Sequence, residues 1–158
     1  MKLARSATYA IALALDNLDG VVSSIYTFPG SSQPTGIVKD FDEPVRSAAP
    51  GLASLHAHGG TPLTNCLPHA PAALVDVEHV TRRIMIIITD GGPDNPQACA
   101  SIIKRAQAHG VEVVGVGIGG MSQDALLSFC PEALSIEDMR QLAPVVIRLL
   151  TKRLLAAT

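Results

Sequence analysis

The strongest pattern in the chain is the continuous apolar run Arg83–Thr89 (RIMIIIT), which stops abruptly at Asp90-Gly91-Gly92-Pro93-Asp94. A run of that length without polar alternation, closed by turn formers, predicts a strand buried on both faces, as in a parallel sheet. Pro96 suits the first position of a helix over residues 97–109, Gly110 suits its end, and VEVVGVGI (residues 111–118) reads as a second buried strand. Together these make a βαβ unit. Upstream, an amphipathic pattern predicts a helix from the N-terminus to near Gly20, and VVSSIYTF (residues 21–28) predicts a strand stopped by Pro29-Gly30. Residues 29–50, with Pro34, Pro44 and Pro50, read mostly as surface loop with a short edge strand near residues 36–41. A short helix is expected over residues 51–58, a tight loop at 59–62, and a helix from Thr64 or Asn65 towards His79, with Pro68 in its first turn. Residues 122–129 suggest a short helix, 133–136 a strand, and a last helix opens at Ser135 or Glu137 and runs to about residue 155. Alternating strands and helices predict an α/β fold, a mostly parallel sheet with helices on both faces.

Composition narrows this picture without changing it. A chain of 158 residues, 47% hydrophobic and 16% charged, has enough apolar side chain for one domain with a buried core, spanning residues 1–158. A net charge of -2 and only two tyrosines and three phenylalanines argue against nucleic-acid binding, which wants basic surface and stacking platforms. Cys66, Cys99 and Cys130 are odd in number and widely spaced, unlike a disulfide framework, so a cytoplasmic setting is expected. The first twenty residues carry Arg5, Ser6, Thr8, Asp16 and Asn17 among the apolar ones, which separates them from a signal peptide or a membrane span.

In parallel sheets, ligands gather beyond the carboxyl ends of the strands. Asp90 sits there directly, and Thr61 follows Gly59-Gly60 in a loop able to bring its hydroxyl close to a ligand. A carboxylate and a hydroxyl are hard oxygen donors suited to Mg²⁺ or Mn²⁺. The plainer alternative is that Asp90 and Asp94 form turns or cap helices and Thr61 is an ordinary loop residue. Two other constellations compete. Gly115 to Gly120 spells G-x-G-x-x-G after a strand, the form of a dinucleotide-binding turn, with Glu137 or Asp138 as ribose ligand. His56, His58, Cys66 and His69 offer zinc-type ligands, at spacings that match no standard zinc site. No nucleophile paired with a base stands out, so no enzyme activity is expected.

Gly59-Gly60-Thr61-Pro62-Leu63, then Ile88-Thr89-Asp90-Gly91-Gly92-Pro93-Asp94, then Gly110 to Gly119 resemble, in order, successive motifs of the von Willebrand factor type A (VWA) family. Within it the chain most resembles the VWA domain of bacterial cobaltochelatase T-subunit-like proteins. The resemblance implies a non-catalytic protein-binding module. Its metal-ion-dependent adhesion site (MIDAS) would take Thr61 and Asp90, bind Mg²⁺ or Mn²⁺, and receive an acidic side chain of a partner such as an AAA+ ATPase. The family site also uses an Asp-x-Ser-x-Ser sequence after the first strand, and the chain contains none. Met1 to Arg5 resembles the start of the helix that follows that loop. The resemblance therefore implies a truncated domain, lacking the usual first central strand and holding an incomplete metal site.

Overall fold

The computed structural model describes residues 2–30, 35–56 and 60–155. They form two compact units, residues 2–26, 37–56 and 138–155 in one and residues 27–30, 35–36 and 60–137 in the other. Among the described residues the strands make two sheets, one of two strands and one of three.

The first unit is mainly helical. Helix α1 (Lys2–Asp16) packs on α2 (Val45–Ser54) and on α7 (Leu142–Leu155). Ala7, Ile11 and Ala12 of α1, Val45, Ala48 and Leu52 of α2, and Leu142, Val146 and Leu150 of α7 are all buried. Spacings of three and four residues put the α2 and α7 sets each on one helix face, and Ala7 and Ile11 of α1 likewise lie one turn apart. Helix α2 begins six residues earlier than the sequence pattern predicted and runs through Pro50. Pro50 forgoes one intrahelical hydrogen bond, but the buried Val45–Ala48–Leu52 stripe holds the segment helical. The Arg5 guanidinium closes its far end, donating to the carbonyl oxygens of Ala53 and Leu55. Strand β1 is only Ile25–Thr27, shorter than expected, and pairs with β2 (Gly36–Lys39). Just before it, the Ser23 carbonyl accepts from the Lys39 ammonium.

The second unit is a parallel three-stranded sheet in the order β3 (Arg83–Thr89), β4 (Val111–Gly117), β5 (Ala133–Ser135), flanked by helices. Ile84 lies opposite Glu112 and Thr89 opposite Gly117, so the two apolar runs pair along their whole length. Helix α5 (Pro96–Ala108) connects them as predicted, with the Asn95 side chain accepting from Ala98 N at 3.0 Å and Pro96 in the first turn. Met85 and Ile87 of β3, Val111 and Val113 of β4, and Cys99, Ile103 and Ala106 of α5 share one core with Leu126 and Phe129. Ile103 and Leu126 are fully buried, each contributing about 1.5–3 kcal/mol by burial. The helix expected from residue 64 to residue 79 is instead two, α3 (Leu63–Cys66) and α4 (His69–Asp76). Pro68 has no N–H to continue the first helix and starts the second, which leaves Pro71 in a first turn where its missing donor costs nothing. Helix α6 (Gln123–Leu127) is capped by Ser122. The final helix begins later than predicted, because the Asp138 carboxylate accepts from Arg140 N and starts a separate 3₁₀ turn, Met139–Gln141, before α7.

Candidate functional site

The carboxyl ends of β3 and β4 carry the loops that hold Asp90 and Gly119, and the loop before α3, which carries Thr61, meets the first of them. Thr89 is buried and ties the turn after β3 to itself, its hydroxyl donating to Gly91 O at 2.8 Å and accepting from Gly91 N at 3.2 Å. That turn leaves Asp90 exposed at the sheet edge. On one side, Ile118 N donates to Thr89 O at 2.9 Å, and a Cβ on Gly119 would lie 3.4 Å from Asp90 Cβ. On the other, Thr61 Oγ1 lies so near Gly91 that a Cβ there would stand 2.9 Å from it. Glycine at 91 is what allows the threonine hydroxyl to reach the residue next to Asp90. The two residues predicted as metal donors, Thr61 and Asp90, thus sit in adjoining loops although 29 positions apart in sequence.

A second set of bonds stitches the same loops together. Thr61 O accepts from Leu63 N at 2.7 Å and from Asp94 N at 3.2 Å. Asp94 Oδ1 accepts from Thr64 N at 3.1 Å and from Thr64 Oγ1 at 2.8 Å. The Thr64 amide, then the Thr64 hydroxyl, hold the Asp94 carboxyl below the usual carboxylate range. With its proton given to Asp94, Thr64 Oγ1 is left to accept from the Cys99 thiol 3.5 Å away. Sequence reasoning offered Asp94 as a turn former or helix cap. Its bonds to Thr64 span thirty positions and leave no local signal, beyond an aspartate in a loop that must meet another loop.

The zinc-type grouping does not assemble. Cys66 is buried, with burial pushing its thiol up, whereas His56 and His69 are exposed and His58 lies outside the described residues. Among the described residues no three His, Cys, Asp or Glu side chains gather as a metal would need. The glycine-rich segment is likewise occupied by packing. Gly115 and Gly117 lie inside β4, and a Cβ on Gly117 would stand 2.7 Å from Leu126 Cδ1 and 3.2 Å from Met121 O. Those glycines let α6 and its flanking loop approach the strand; they do not form the phosphate-facing turn of a dinucleotide fold, and α6 has only five residues. Asp138 is engaged by Arg140 through both carboxylate oxygens.

Mg²⁺ or Mn²⁺ is the cation the sequence pattern led us to expect here, and the fit of these residues to it is one of chemistry more than number. A hydroxyl and a carboxylate are hard donors at one strand edge, but two protein oxygens leave most of an octahedral shell to water and to other donors.

No protein-family model matches the sequence, and no curated protein matches it. Solved structures do match. The SpRpn10 VWA domain superposes with a TM-score of 0.73 at 15% identity, covering 92% of this chain and 81% of that one. A von Willebrand factor type A protein from Catenulispora acidiphila gives 0.70 at 21% identity, over 90% of this chain and 35% of that one. Proximal thread matrix protein 1 from the mussel byssus, with a zinc-occupied MIDAS motif, gives 0.71 at 15% identity, over 91% of this chain and 40% of that one. The chain thus spans well under half the length of the last two. At these identities the likeness shows the fold alone: the chain has an α/β fold like that of von Willebrand factor type A domains.

No helix among the described residues is long and apolar enough to cross a membrane.

Proposed function

We propose that this domain is a non-catalytic protein-binding module whose contact site is the loop pair carrying Thr61 and Asp90. The observation that carries the reading is the approach of Thr61 Oγ1 to Gly91, which brings a hydroxyl to the residue next to Asp90 at the carboxyl end of a parallel strand. Thr61 and Asp90 would hold a hard divalent cation, Mg²⁺ or Mn²⁺, whose open positions would accept a carboxylate from the partner. The chain's own residues do the rest: Thr89 fixes the turn that presents Asp90, and Gly91 admits the threonine hydroxyl. Likeness to metal-bearing folds supports the reading, since the Plasmodium vivax TRAP structure is manganese-loaded and matches this chain with a TM-score of 0.68 at 15% identity. The motif order that resembles the cobaltochelatase T-subunit group extends the proposal to an AAA+ ATPase partner and a cytoplasmic setting.

The test is Mn²⁺ titration of ¹⁵N-labelled protein. Paramagnetic broadening should begin at Thr61, Asp90 and Gly91 and weaken in Asp90→Ala and Thr61→Val. Broadening that spreads over surface carboxylates, with no preference for these loops, contradicts the proposal.

A further inference from the structure

The two donors lie on separate loops, and something must hold one against the other. Asp94 has the bonds to do it. Its backbone N–H donates to Thr61 O at 3.2 Å, while its Oδ1 accepts from both the amide and the hydroxyl of Thr64, at 3.1 and 2.8 Å. One residue therefore grips the Thr61–Thr64 turn at both ends, and Leu63 N closes the turn internally on Thr61 O at 2.7 Å. The foundations on either side are firm. Leu63 is 1% exposed in the core, and Asn95, next to Asp94, caps α5, so the grip joins two anchored segments. An acidic side chain in this loop invites assignment as a third cation ligand. Its hydrogen bonds give it another role, because Oδ1 already accepts two from Thr64 at the start of α3.

We infer that Asp94 is a positioning residue that latches the Thr61 loop to the Asp90 loop, and that it acts through hydrogen bonds to Thr64 rather than as a ligand of the cation. The inference rests on the cation-site reading for what the latch is for, but the latch itself is a property of the metal-free protein.

Three variants separate the roles. In Asp94→Asn the side-chain amide oxygen can still accept from Thr64 without the negative charge; Asp94→Ala removes the acceptor; Thr64→Val removes only the hydroxyl. Two quantities are read: hydrogen exchange of the Thr64 amide without metal, and the Mn²⁺ concentration that half-broadens Thr61 and Asp90. Asp94→Ala should speed Thr64 exchange and raise the Mn²⁺ requirement, each by about five- to tenfold, the factor expected for one or two ordinary hydrogen bonds. Asp94→Asn should stay within about threefold of the parent on both, and Thr64→Val should fall between. If Asp94→Asn keeps Thr64 protected but needs as much Mn²⁺ as Asp94→Ala, Asp94 is a ligand and the inference is overturned. Unchanged Thr64 exchange in Asp94→Ala also overturns it. Should the parent show no local Mn²⁺ broadening, the cation reading fails while the exchange experiment still decides the latch. An Asp94→Ala protein that does not fold leaves the decision to Thr64→Val, for which unchanged Thr64 exchange and unchanged Mn²⁺ requirement together refute the latch.

Discussion

Lys39 offers the sharpest test of what holds the first unit together. Its side chain is 1% exposed, and its ammonium donates to Ser23 O at 2.6 Å and Asp40 O at 3.2 Å, with Asp16 Oδ1 3.7 Å away. Asp16 works in two directions, since its Oδ2 also accepts from Val45 N, the first amide of α2, at 2.6 Å. At 3.7 Å and an effective dielectric of about 20, the gross attraction of the pair is roughly 4 kcal/mol, against a comparable cost of taking the ammonium out of water. Removing one partner leaves that cost without its return. Lys39→Met keeps the hydrocarbon stem but strands the Ser23 carbonyl and the Asp16 carboxylate, and should cost about 3 kcal/mol. Asp16→Asn keeps an acceptor for Val45 N and so isolates the charge; because Asp16 is a quarter exposed, about 2 kcal/mol is expected. The double variant should cost clearly less than the two together, with a coupling of about 1–3 kcal/mol. The chain has no tryptophan, so urea unfolding is best followed by far-ultraviolet circular dichroism. With a slope of roughly 2 kcal/mol per molar, each single variant should lower the midpoint by about 1–1.5 M. Additive single effects, or a Lys39→Met midpoint within about 0.2 M of the parent, would refute the argument that this buried charge is held by its partner.

Other perturbations probe the second unit and the turn before α7. Gly117→Ala places a methyl 2.7 Å from Leu126 Cδ1 of a fully buried side chain and 3.2 Å from the backbone oxygen of Met121, so a loss of about 1–3 kcal/mol should appear as a lower thermal midpoint. A melting temperature unchanged by that substitution would mean that β4 and α6 are less closely packed than described. Asn95→Ala removes the cap on Ala98 N and should cost about 1 kcal/mol, while Asn95→Asp, which keeps an acceptor at a helix N-terminus, should cost nothing or stabilise; chemical denaturation separates the two. Asp138 is held below the usual carboxylate range by hydrogen bonds from Arg140, its side chain first and then its amide. A depressed carboxyl contributes in full above its unfolded value, near 3.9, and loses that contribution as pH falls through the lower folded value. The amide signals of residues 139–141 should therefore hold steady down to about pH 4 and shift only below it, and a shift centred above pH 5 would contradict this.

How much of this was legible beforehand depends on the range of the cause. The strand Arg83–Thr89, helix α5 and the strand after it follow from apolar periodicity, Pro96 and Gly110, all acting within a few residues, and they stand where the sequence pattern placed them. Asp90 and Thr61 were recognisable as hard donors next to turn glycines, and the loops carrying them do meet. Thr89 was read only as the end of a strand, yet its hydroxyl shapes the turn that presents Asp90. The G-x-G-x-x-G reading shows the opposite failure, because a glycine needed for close packing and one needed for a phosphate look the same in a sequence.

By itself, then, the sequence determined the βαβ unit, its parallel pairing and the chemistry available at its carboxyl edge, because backbone geometry and apolar periodicity are local. Tertiary structure decided where residues distant in the chain assist or override that local grammar. Burial of Val45, Ala48 and Leu52 carries a helix through Pro50, a paired charge lets Lys39 enter the core, and Thr64 and Asp94 find each other across thirty positions. Each depends on a contact whose free energy exceeds a local preference of only about 1–3 kcal/mol, and no reading of neighbouring residues contains that contact.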